Sequence, residues 1–98
     1  MLMVVVKMKV SSADYARFKP LLVDNAAASL MEEGCFCFDI GELQEASPGS
    51  HAFLLYEVYQ DREAFERHLT SAHFLSFDRQ TAAMLQHKAI AFYQQIGK

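Results

Sequence analysis

The stretch His51 to Gln60, HAFLLYEVYQ, limits the possible folds more than any other part of the chain. Its length and its aliphatic and aromatic content make it a strand. Side chains alternate across a strand, so His51, Phe53, Leu55, Glu57 and Tyr59 share one face and Ala52, Leu54, Tyr56 and Val58 the other. Both sets are largely apolar, and a strand of that kind is covered on both sides. Glu57 sits between Leu55 and Tyr59 on its own face, where burial would raise its pKa. A pairing with a Lys or Arg across the sheet or a dimer, for instance Lys7 or Lys9, is the plainer expectation for it.

The remaining pattern supplies one cover for this strand. Met3 to Val10, MVVVKMKV, is Val-rich and reads as a first strand. Ser11 or Ser12 caps a helix running to about Glu33, with Pro20 expected to kink or divide it and Gly34 to stop it. Cys35 to Gly41 is a second strand, Gln44 to Ser50 a turn, and His51 to Gln60 the third strand. Asp61 caps a short helix over Arg62 to Leu69. Ser71 caps another from Ala72 to about Gln86, whose Phe74, Phe77, Thr81, Met84 and Leu85 recur at helical spacing. Lys88 to Ile96 closes as a fourth strand. This order predicts an α+β fold, a ferredoxin-like βαββαβ domain with a four-stranded antiparallel sheet, filling residues 1–98 as a single domain. The helices cover one sheet face. No element is left for the other, so a second copy of the chain is expected there, as a homodimer. Tyr56, Phe53, Leu55 and Glu57 are the strand residues expected to serve the architecture or that dimer.

Composition narrows the function. The chain has 98 residues, a net charge of −3 and no basic patch, so no nucleic acid is expected as a partner. No apolar run is long enough to span a membrane, and the N-terminal one does not read as a secretory signal, so a cytoplasmic location is expected. Cys35 and Cys37, two apart on a strand, read as reduced thiols, because a bridge across one residue is strained.

Three polar residues fall on apolar faces. His68 shares a helical face with Ala64, Phe65 and Leu69 and turns inward, as a structural residue or as a base. His73 lies at the start of the next helix, where the helix dipole favours a neutral imidazole. Asn25 lies in the middle of the inner face of the first helix, set by Phe18, Leu21, Leu22, Ala28 and Ser29, where it satisfies local backbone or offers its amide to a substrate oxygen. A metal is the weaker reading of the two histidines. Their spacing is five rather than four, a cap intervenes, and no third ligand stands at a suggestive spacing.

Together, EEGCFCFDI (Glu32 to Ile40), FLLYEVYQDREAFERHLTSAHFLSF (Phe53 to Phe77) and the Val-rich first strand resemble the antibiotic biosynthesis monooxygenase family. The second block is the more specific of the two. The resemblance implies a dimeric α+β barrel and small enzymes without a cofactor or metal. Some members oxidise phenols or quinols with O2. Others isomerise phosphorylated autoinducer-2, and others cleave haem. It implies a pocket between helices and sheet in each subunit, with His68, Asn25 and His73 at its polar, catalytic positions. An apolar wall of Phe38, Tyr59, Phe77 and Met84 would bind the substrate. Tyr59 stands where many members carry tryptophan, and that form is more similar to the isomerases. The expected function is therefore a cofactor-free monooxygenase on a small phenolic or quinol substrate. The alternatives are an isomerase of a small phosphorylated hydroxyketone, with Lys7, Lys9 or Arg67 as candidate phosphate partners, and a non-catalytic small-molecule-binding module.

Overall fold

A computed structural model describes residues 1–45 and 47–98 of the chain. The predicted turn Gln44–Ser50 includes Ala46, which lies outside the described residues. The elements run β1 (Leu2–Ser11), α1 (Ser12–Leu30), β2 (Cys35–Glu42), β3 (Ser50–Tyr59), α2 (Arg62–Leu69), α3 (Ala72–Thr81), a 3-10 turn (Ala82–Met84) and β4 (Leu85–Gln94). The sheet is antiparallel throughout, in the order β2-β3-β1-β4. This is the expected ferredoxin-like α+β arrangement.

Register decides which faces meet. Val4 pairs with Glu57, Val6 with Leu55 and Met8 with Phe53. These residues face the helices and are buried with Val10, Phe38 and Tyr59 against Phe18, Leu22 and Ala26 of α1 and Phe65 of α2. Lys7 pairs with Leu54 and Lys9 with Ala52, so both lysines stand on the opposite, outer face. Glu57 faces inward and cannot reach them within the chain, which corrects the two lysines named from sequence; the lysine that attracts it is Lys88 of β4. Phe53 and Leu55 are core residues, whereas Tyr56 lies on the outer face with Val5, Leu54 and Val58.

The helix starts follow local chemistry. The hydroxyl of Ser11 accepts from the amide of Asp14, the carboxylate of Asp61 from Ala64, and the hydroxyl of Ser71 from Phe74, each satisfying an otherwise orphaned first-turn donor. Three expected boundaries differ. Pro20 does not divide α1, which runs unbroken from Ser12 to Leu30. Pro20 is on the exposed side, so the backbone acceptor it leaves unpaired faces water rather than the core. Gly34 is not the stop of that helix either. The helix ends at Leu30, and residues 31–34 form a turn that Gly34 closes with a φ of 90°. A Cβ at Gly34 would lie 2.9 Å from the Cβ of Ala64, so only glycine lets this turn approach α2. Likewise α3 stops at Thr81 and β4 starts at Leu85, earlier than the periodicity suggested.

Candidate functional site

The turn that Gly34 permits carries Glu32 to the end of α2 and the start of α3. There the Nδ1 of His68 lies 2.7 Å and the Nε2 of His73 2.6 Å from the same Oε2 of Glu32. A carboxylate oxygen only accepts, so both imidazoles donate to it. The tautomer of His68 follows: with its proton on Nδ1, the lone pair is on Nε2, which has no hydrogen-bond partner among the described residues. Ser71, the cap of α3, donates to the carbonyl of His68 at 2.6 Å and lies 3.2 Å from the Nε2 of His73, tying the two helices together. Burial holds the pKa of His68 below the usual imidazole value, against the opposing pull of Glu32, so the ring is neutral at pH 7.

His68 lines a cavity of about 50 Å³ between sheet and helices. Phe38, Phe77 and Phe74 supply its aromatic wall, and Asn25 and Glu57 its other inner polar groups. Lys88 and Ile90, exposed on β4, stand at its open side. The Oδ1 of Asn25 is buried with no hydrogen-bond partner among the described residues. A buried amide oxygen without a partner is uncommon, and here it borders a cavity. Glu57 accepts a 2.6 Å hydrogen bond from the hydroxyl of Tyr59. Burial still pushes its carboxyl up to about 7, outweighing that bond and the attraction of Lys88. Tyr59 itself is pushed upward by burial and by Glu57, so it stays a phenol.

The structure thus brings His68, Asn25, Phe38 and Phe77 to one cavity, with His73 behind His68. Tyr59 stands behind Glu57 rather than in the wall, and Met84 packs against the core elsewhere. Lys7 and Lys9 lie on the far side of the sheet, and Arg67 beside Glu63 and Thr70 outside the cavity. Sequence reasoning quoted Glu32 only as part of a motif and gave it no role. Among the described residues, Glu32, His68 and His73 form a group whose ligating atoms could hold a metal, all within 4.8 Å of one another. Cys35 and Cys37 are free, and burial pushes the thiol of Cys35 up to about 11, so it is no nucleophile at neutral pH.

Residues 1–80 match the Antibiotic biosynthesis monooxygenase family. Among solved structures, a protein from Nitrosomonas europaea, proposed to be an antibiotic biosynthesis monooxygenase, superposes with a TM-score of 0.90 at 26% identity. That match covers 99% of this chain and 100% of the other. A Pseudomonas aeruginosa protein superposes with a TM-score of 0.88 at 27% identity, covering 98% of this chain and 94% of that one. A Deinococcus radiodurans protein shares the fold at 22% identity and a TM-score of 0.88, covering 100% and 95%. No curated protein matches the chain. No helix among the described residues is long and apolar enough to cross a membrane.

Proposed function

The chain belongs to the antibiotic biosynthesis monooxygenase family, and from that premise we propose that it is a cofactor-free monooxygenase of a small phenol or quinol. The observation that carries the reading is the neutral His68, held by Glu32 with its Nε2 free, beside a cavity that Asn25 borders with an unpartnered amide oxygen. A phenolic hydroxyl donates to Asn25 or to His68. His68 takes the proton on Nε2, and Glu32 steadies the imidazolium that forms. The amide of Asn25, turned to present its NH2, holds the phenolate oxygen. The electron-rich ring then reduces O2, one oxygen atom entering the substrate as a carbonyl and the other leaving as water. Benzene needs a cavity of roughly 150 Å³, so a ring enters only when the lining, including Lys88 and Ile90 at the open side, moves apart. The test is oxygen uptake with a panel of quinols and anthrones. Uptake no faster than that of an Asn25→Ala, His68→Ala double variant would remove the proposal.

A second reading is supported by the cavity's small size and by Lys88 at its mouth. A phosphorylated hydroxyketone would place its phosphate at Lys88 and its carbonyl at Asn25, with His68 removing the adjacent proton. Deuterium entering the substrate from D2O, seen by NMR, distinguishes this isomerase; its absence excludes an enediol route.

The working unit in either reading is a homodimer. The outer sheet face exposes Leu54 and Tyr93 next to Val5 and Tyr56, an apolar patch bordered by Lys7 and Lys9 with no element among the described residues over it. A two-fold pairing of such faces closes on itself.

A further inference from the structure

The geometry points to a divalent transition-metal site made by Glu32, His68 and His73, whose occupation reverses the hydrogen-bonding sense of the His68 nitrogen left for the cavity. The three ligands come from three segments that the fold brings together independently: the turn after α1, the last turn of α2 and the first turn of α3. Their ligating atoms lie within 4.8 Å of one another, and zinc-to-ligand bonds of about 2.0–2.1 Å require only small rotations from there. Two imidazoles and one carboxylate suit zinc, and leave a further position to water. The side chains of Glu32 and His73 are 16% and 27% exposed, so an ion can enter without opening the core. The Ser71 cap, bonded to His68 and close to His73, holds the two helix ends at fixed separation. The net ligand charge is −1, from Glu32, so a divalent ion leaves a net +1 at the partly exposed rim.

The consequence is one of tautomers. A metal on Nδ1 of His68 takes the place of the proton now shared with Glu32, and the neutral ring keeps its single proton on Nε2. That nitrogen then donates and cannot accept. His73 exchanges in the opposite sense, its proton moving from Nε2 to Nδ1. If His68 is the base of the proposed reaction, the loaded protein is inactive, so the metal acts as an inhibitor rather than as a cofactor. Only this last clause rests on the proposed function.

The experiment is titration of the chelator-treated protein with Zn2+ by calorimetry and with Co2+ by visible absorption. One ion per chain and a four- or five-coordinate Co2+ spectrum without thiolate charge transfer are expected. Nitrogen-15 NMR should show the protonated nitrogen of His68 change from Nδ1 to Nε2 on Zn2+ addition. His73→Ala, at a partly exposed position, should weaken binding at least about tenfold, since even outer contacts of metal ligands are worth that much, while Cys37→Ser leaves it unchanged. A His73→Ala variant that binds like the parent, a thiolate band, or no saturable binding overturns the site. Binding with the tautomer change but no loss of turnover would instead count against His68 as the base.

Discussion

Glu57→Gln tests the environment of the cavity through stability rather than turnover. Glu57 is 3% exposed, and burial raises its carboxyl from the ordinary 4.5 to about 7. Between these values the folded chain holds a proton that the unfolded chain has lost. The contribution of Glu57 to stability therefore falls as pH rises through this window; it is fully present below 4.5 and lost above 7. At about 1.4 kcal/mol per pKa unit, the loss is roughly 3 kcal/mol. Glutamine keeps the shape and an oxygen that accepts from Tyr59, but cannot ionise. The variant and the parent should thus match in stability near pH 4.5, and the variant should be more stable by roughly 3 kcal/mol near pH 8. Urea unfolding across that range, at one fixed protein concentration and with chelator present, measures the difference. Parallel stability curves for the two proteins would show that Glu57 is not desolvated, and would refute the reasoning.

Asn25→Leu removes a buried acceptor that has no partner among the described residues, so it should raise stability by about 1 kcal/mol while lowering turnover; a loss of stability would reveal a partner for the amide. Leu54→Asp should leave circular dichroism intact but convert dimer to monomer in sedimentation, whereas Phe53→Asp, pointing into the core, should unfold the chain; a parent protein that sediments as a monomer at micromolar concentration removes the dimer. Gly34→Ala forces a side chain into left-handed backbone and against Ala64, and should cost about 2 kcal/mol or more in thermal or urea unfolding; an unchanged midpoint would mean that the turn and α2 are not in contact.

Much of the fold is legible because its signals are local. The caps Ser11, Asp61 and Ser71 each bond within three residues, and α2 is found with the bounds read from sequence. The two-sided apolar pattern of β3 marks a sheet with an apolar patch on the face that no helix among the described residues covers. The inward placement of His68 and Asn25 also follows from helical spacing. What fails depends on relations between segments. Whether Lys7 shares a face with Glu57 depends on the β1–β3 register, which neither strand states alone. Glu32 lies in a turn without periodicity and meets its histidines only through tertiary packing. The division expected at Pro20 fails because its effect depends on whether the freed acceptor meets water or core.

The position of β1 between β3 and β4 has a consequence for how the chain reaches this fold. The first strand in the sequence needs two partners, β3 from the middle of the sequence and β4 from beyond α3. Such non-local pairing is slow, because long loops must close before any contact forms. Until then MVVVKMKV is an unpaired, strand-prone segment, the kind that stacks with copies of itself into aggregates. Lys7 and Lys9 interrupt its apolar run on the outer face, and charges at such places act as gatekeepers. The two lysines thus guard the refolding yield: replaced by valine, they would lower the fraction of chain recovered in native form far more than they would change the stability of the molecules that do fold.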